Sequence, residues 1–235
     1  MKMLYNDKIN NRVKKIGKVI DFLRKYEDAF TSFEKRQILD TLDDDYTWSM
    51  HNHICLEVYD GLELLPDSVN PYKAFSKLID EQFNIKNKRI IEIGGGKIPC
   101  LGRKISSMQE LGSVVVYDPD LIEYGTYNNL DLKKRRFTSI TNVSSADVLV
   151  GLLPCGSSSI IVNSAIRHNK DFMIALCDSH NTLELFDGVE EDLEWPYNFI
   201  KETSKNVEEN GMGKLKVKIL NEIGENYPII YNDRG

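Results

Sequence analysis

The sequence predicts an α/β fold: a mostly parallel sheet with helices on both faces, closed by an antiparallel hairpin and preceded by a helical extension. Three observations carry this expectation. Roughly the first 85 residues read as helices alone. From Lys88 onward, short apolar runs alternate five times with helical segments. The chain then closes with two strand-like runs around Gly224-Glu225-Asn226. The division that follows is residues 1–85 as helical extension and 86–235 as sheet domain.

In the extension, Val13, Ile16, Val19, Ile20 and Leu23 recur at helical spacing between Asn10 and Tyr26. A second helix covers Ser32 to Leu42, capped by Ser32 or Thr31 and broken by Asp43-Asp44-Asp45. Ile54 to Leu65 reads as a third. Asn70-Pro71 opens a fourth, with Asn as cap and Pro at the first helical position, running through Phe75, Leu78, Ile79 and Phe83.

In the sheet domain, Arg89-Ile90-Ile91-Glu92-Ile93 is a buried strand entering Gly94-Gly95-Gly96, with a helix from about Cys100 to Leu111. Ser113 to Tyr117 is the second strand, ending at Asp118-Pro119-Asp120, and a helix is expected over Leu121–Leu130. Arg136 to Thr141 is a weaker third strand. Asp147 to Leu153 is the fourth, followed by a helix over Ser158–Asn169; Asp171 to Cys177 is the fifth. A long polar loop leads to a helix over Tyr197–Glu209, then the hairpin Lys214–Ile223 and Tyr227–Asn232, whose Pro228 is tolerable near a strand start. Right-handed crossovers put a ligand crevice at the carboxyl ends of the first strands.

Composition narrows the function classes. With 41% hydrophobic residues in 235, the chain can bury one sizeable core. No apolar run approaches the roughly 20 residues that span a bilayer. Met1 to Lys8 has no apolar signal region, so a cytoplasmic protein without a membrane partner is expected. Cys55, Cys100, Cys155 and Cys177 form no CxxC pair, which argues against a local zinc clip or a disulfide scaffold. His51-Asn52-His53 lacks a third ligand, and no metal is expected. A net charge of −6 disfavours duplex DNA as partner, because phosphate neutralisation supplies most of that affinity. RNA stays open, since basic residues cluster at Arg12 to Lys25 and again at Lys133-Lys134-Arg135-Arg136.

Ile91-Glu92-Ile93-Gly94-Gly95-Gly96 resembles motif I of class I S-adenosylmethionine-dependent methyltransferases, an acidic strand residue followed by a G-x-G turn. Glycines let the backbone approach a ligand closely. Tyr117-Asp118 resembles motif II, in which a carboxylate about 20 residues beyond the turn accepts hydrogen bonds from ribose hydroxyls. The resemblance spans Lys88 to Asn232 and implies a Rossmann-like, seven-stranded methyltransferase sheet that binds S-adenosylmethionine. It implies that Glu92 orders the turn or receives the methionine ammonium, with Asp118 on the sugar and Asp120 as its substitute. Ile93, Gly94, Gly95, Gly96, Pro119, Thr141, Leu153 and Pro154 complete the implied cofactor-binding set.

Two departures sharpen the reading. Ile98-Pro99 stands where a third glycine is usual, so Gly94 to Pro99 is closer to the loop of nicotianamine-synthase-like enzymes and fails the dehydrogenase fingerprint for NAD. After the fourth strand, Leu152-Leu153-Pro154-Cys155 replaces the D/N-P-P-Y motif of amino-methylating DNA enzymes. The segment Gly151 to His180 also resembles a group of RNA methyltransferases, with Leu153 in place of that group's histidine.

Cys155, Asp178, Ser179 and His180 are the acceptor-side candidates, all expected at carboxyl ends of strands. Cys155 and His180 are the catalytic choices, His180 as the base where the acceptor must lose a proton. A structural histidine and a buried thiol are the plainer alternatives. Tyr46, Trp48 and Tyr59 could cap an acceptor pocket under a helical lid, or pack in a core. The expected activity is methyl transfer to an unidentified acceptor, a small molecule ahead of RNA. A non-catalytic cofactor-binding module and an NAD-dependent oxidoreductase are the competing classes.

Overall fold

The structure, a computed structural model, describes residues 2–42, 48, 50–108, 112–154, 156–177, 196–223 and 227–235. The chain forms two compact units, Met1–Asn70 and Pro71–Gly235. No helix among the described residues is long and apolar enough to cross a membrane.

The first unit is helical. α1 (Lys2–Lys25) buries Val19 and Leu23. α2 (Ser32–Asp40) starts at a complete capping box: Thr31 Oγ1 accepts from the Glu34 N–H, and the Glu34 carboxylate accepts from the Thr31 N–H at 2.7 Å. α3 (His53–Gly61) is buried along most of its length, and its Asp60 accepts from the Asn70 amide at 2.6 Å.

The second unit is the sheet. The strands are β1 (Arg89–Ile93), β2 (Ser113–Tyr117), β3 (Gly125–Tyr127), β4 (Leu130–Lys133), β5 (Val148–Leu152), β6 (Asp171–Ala175), β7 (Lys214–Lys218) and β8 (Ile229–Asp233). Their order is β3-β4-β2-β1-β5-β6-β8-β7. β4, β2, β1, β5 and β6 run parallel, while β8 inserts antiparallel between β6 and β7. This is the Rossmann-like sheet with a terminal antiparallel hairpin that the sequence predicts, extended by the antiparallel edge strand β3.

Strands β1, β2 and β5 are almost wholly buried, because helices or loops cover both faces. One face carries Ile91, Ile93, Val115 and Leu149, covered by α6 (Ser158–His168), by Val207 of α7 (Tyr197–Glu209), and by Phe137, Val143 and Ala146 of the segment 134–147. α5 (Cys100–Ser107) and α4 (Pro71–Phe83) pack on the sheet as well, so α4 belongs to this unit.

Two expected elements do not form. The stretch 121–130 is not a helix and 136–141 is not a strand. Gly125, Thr126, Tyr127 and two asparagines are poor helix formers, and the alternation Leu130-Asp131-Leu132-Lys133 favours a strand with buried leucines. Asn128, at φ +52°, makes the turn between β3 and β4. β3 then occupies the outer edge of β4, which leaves 136–141 no neighbour to pair with; only Phe137 of that stretch is buried. Elsewhere the differences are at ends: β7 stops at Lys218, and the expected turn at 224–226 lies outside the described residues.

Asn232 ties the hairpin to the start of β6. It is 1% exposed; its Oδ1 accepts from the Phe172 N–H at 2.8 Å, and its Nδ2 donates to Asp171 and to the Met212 carbonyl. Asn232→Leu would strand the buried Phe172 N–H, so a loss of about 2–4 kcal/mol is expected in urea unfolding.

Candidate functional site

The turn after β1 and the end of β2 are hydrogen-bonded to each other. Gly94 leaves β1 at φ +77° and donates its N–H to the Tyr117 carbonyl at 3.0 Å. Gly96, at φ +73°, donates its N–H to Oδ2 of Asp118 at 3.0 Å. Oδ1 of Asp118 accepts from the Asp120 N–H at 2.7 Å. Each carboxylate oxygen accepts about two hydrogen bonds, so Asp118 keeps acceptor capacity on both. Burial raises its pKa, the Asp120 and Gly96 N–H groups pulling the other way.

Gly95 allows the close approach of turn to sheet. A Cβ there would overlap Cγ1 of Val116, a buried strand residue with little room to yield. Gly95→Ala should therefore overpack the site, with a loss of about 1–3 kcal/mol in thermal or urea unfolding.

Glu92 lies beneath this turn. It is 2% exposed, and Oε2 accepts no hydrogen bond among the described residues. A Cβ on Gly102, in the first turn of α5, would come within 2.6 Å of that oxygen, so Gly102 supplies the room Glu92 occupies. Burial pushes the carboxyl up to about 8; the Gly102 N–H opposes the shift and the Asp118 charge adds to it.

At the end of β5, Leu153 has φ +51° while its N–H donates to the Ala175 carbonyl at 3.0 Å. A leucine in this left-handed region costs about 1–2 kcal/mol, and such strain concentrates at functional sites. The buried Pro154 follows, its Cα 2.9 Å from where a Cβ of Gly94 would stand. The turns after β1 and β5 thus touch, and Gly94 permits it.

The remaining candidates are placed as follows. Ile93 is buried in the core behind the turn, and Pro119 is exposed beside Asp118. Thr141 lies in the 134–147 segment, where its Oγ1 accepts from the Thr138 N–H at 3.0 Å, a bond internal to that loop. Cys155, Asp178, Ser179, His180 and Tyr46 lie outside the described residues. Tyr59 is fully buried within the first unit, edge-on to Trp48 at 4.9 Å and under the Lys15 ammonium at 5.0 Å, which is core packing. No group of three metal-ligating side chains occurs among the described residues. Sequence reading named Leu153 but not its backbone strain, and it missed the pairing of Glu92 with Gly102; neither feature leaves a local sequence signal.

The arrangement can accept hydrogen bonds from a pair of hydroxyls at Asp118, and it holds an unpaired carboxyl oxygen at Glu92 that a cation or donor would satisfy. Solved structures overlap the chain loosely. A Methanococcus maripaludis protein assigned as an S-adenosyl-L-methionine-dependent methyltransferase matches at 12% identity and TM-score 0.45, over 82% of this chain and 96% of its own. The methyltransferase domain of bacterial CtHen1-CN matches at 12% identity and TM-score 0.46, over 68% and 96%. A SAM-dependent O-methyltransferase from Thermotoga maritima matches at 16% identity and TM-score 0.41, over 75% and 69%. No protein-family model and no curated protein matches the chain. Overlaps this loose carry no argument of their own; the strand order carries the fold.

Proposed function

We propose that this chain, which has the class I methyltransferase fold, binds S-adenosylmethionine at the ends of β1, β2 and β5 and transfers its methyl group to an acceptor. The observation that carries the reading is the Gly96–Asp118 hydrogen bond, which joins the glycine turn to a carboxylate with acceptor capacity to spare. The orphaned Oε2 of Glu92 and the strain at Leu153 support it.

In this reading Asp118 accepts from the two ribose hydroxyls through its remaining lone pairs. The turn at Gly94 to Gly96 offers close backbone contact to the amino-acid tail, and Glu92 balances that tail's positive charge from beneath. Ile93, Pro119, Thr141, Leu153 and Pro154 complete the proposed cofactor set. The cofactor supplies an electrophilic methyl on a sulfonium. The protein's share is to align the acceptor with it and to exclude water, which can account for most of the rate. Where the acceptor must lose a proton, His180 takes it, with Cys155 as the second acceptor-side residue.

The net charge of −6 favours a small-molecule acceptor. Transfer to RNA is the second reading, favoured by one observation: the exposed basic and aromatic β3–β4 hairpin. Calorimetric titration with S-adenosylmethionine and with NAD tests the cofactor; tight NAD binding with no response to the sulfonium compound would remove the proposal. Labelled methyl transfer into cell extract, read by mass spectrometry, identifies the acceptor.

A further inference from the structure

The β3–β4 hairpin stands where the sequence leads one to expect a helix, and nothing in cofactor binding requires it. It carries a chemistry of its own. Beside it lies an open groove of about 770 Å³, lined among others by Tyr124, Lys133, Lys134 and Arg135. Tyr124 is 68% exposed and Tyr127 49%, large aromatic surfaces left in water. The Tyr127 hydroxyl donates to the Tyr124 carbonyl at 3.3 Å, which ties the two positions together.

The charge there contrasts with the rest of the chain. Lys133 is paired with Asp131 at 2.7 Å, but no ion pair holds Lys134, Arg135 or Arg136 among the described residues. All three are exposed. The Arg135 guanidinium lies over the Tyr117 ring at 5.4 Å, beside the β2 end. A net charge of −6 overall with a local run of three unpaired cations makes this a basic island on an acidic protein.

We infer that this groove docks single-stranded RNA, with phosphates on Lys134 and Arg135 in the groove and on Arg136 next along the chain, and an unpaired base stacked on Tyr124. Exposed aromatics interleaved with cations suit a single strand, because only unstacked bases offer their faces to a side chain. A duplex would use the cations and leave the tyrosines idle. The site adjoins the proposed cofactor region, since the Asp118 N–H donates to the Lys133 carbonyl at 3.2 Å. The inference does not rest on methyl transfer, and its test is separate.

That test is fluorescence anisotropy of a labelled mixed-sequence RNA of about twelve nucleotides with the full chain, from about 50 to 300 mM salt. Salt-sensitive binding is expected. The charge reversal K134E/R136E should weaken it at least tenfold and flatten the log–log salt dependence by about 1.4, two phosphate contacts' worth for a single strand. Tyr124→Ala should weaken it about 5- to 150-fold, the cost of one stacked base. All three side chains are exposed, so the fold should survive, and S-adenosylmethionine titrations of the same variants should match the parent. No RNA binding at low salt, unchanged binding by both variants, or equal competition by duplex RNA would overturn the inference.

Discussion

Replacing Asp118 with alanine is expected to weaken S-adenosylmethionine binding about 100- to 1,000-fold in calorimetric titration. Two effects combine. The substitution removes a charged acceptor for a pair of ligand hydroxyls, and hydrogen bonds to charged groups contribute about 1.5–3 kcal/mol each. It also frees the Gly96 N–H, which now donates to Oδ2 at 3.0 Å, so the turn loses one of its two hydrogen bonds to the β2 end. Asp118→Asn tests the charge with the side-chain volume nearly unchanged. Its amide keeps one acceptor but presents either an N–H₂ to the Gly96 N–H or an N–H₂ to the Asp120 N–H, donor facing donor in both cases. The asparagine variant should therefore lose nearly as much affinity as alanine. Asp118→Ala binding the ligand as tightly as the parent would show that the ribose lies elsewhere.

Why the fold was legible from β1, β2 and β5 but not from β3 and β4 follows from burial. Ile90 to Ile93, Val114 to Tyr117 and Val148 to Leu152 are enclosed on both sides, so these strands read as near-continuous apolar runs, with Glu92 the exception in β1. β4 is half-buried, and its signal is an alternation of only four residues. β3 is exposed along its length, and its turn uses Asn128 without the glycine that usually marks a tight hairpin. The site divides in the same way. Asp118 can be picked out because it follows a strand at the right distance from a glycine turn, but its bond to Gly96 depends on how the two strand ends meet. Leu153 gives no sign of its positive φ, since leucine rarely adopts that region and nothing in its chemistry marks it. Gly102 looks like an unremarkable helix residue until Glu92 is seen to fill the space beside it.

Glu92→Gln should abolish the pH response of this site. The Glu92 carboxyl, ordinarily near 4.5, is pushed up to about 8 in the fold by burial, so folding favours its protonated form. The stability this represents is fully present below about pH 4.5 and is lost as pH rises through about 8. At ~1.4 kcal/mol per pH unit, the parent would lose at most about 5 kcal/mol over that interval relative to a neutral isostere. Urea unfolding of parent and glutamine variant from pH 5 to 9 should show the parent falling progressively behind; parallel curves would mean the carboxyl is ionised and solvated throughout. Ligand binding gives the opposite demand. A ligand ammonium held above the turn, as proposed, would stabilise the ionised carboxylate, so binding should expel a proton from Glu92. Between about pH 6 and 7.5, where a ligand α-amino group stays charged, affinity should rise by up to tenfold per pH unit in the parent and stay flat in the variant. Calorimetry in buffers of different ionisation enthalpy would detect that proton directly. A carboxyl left unpaired at Oε2 in the free protein would favour a ligand that arrives with a positively charged group.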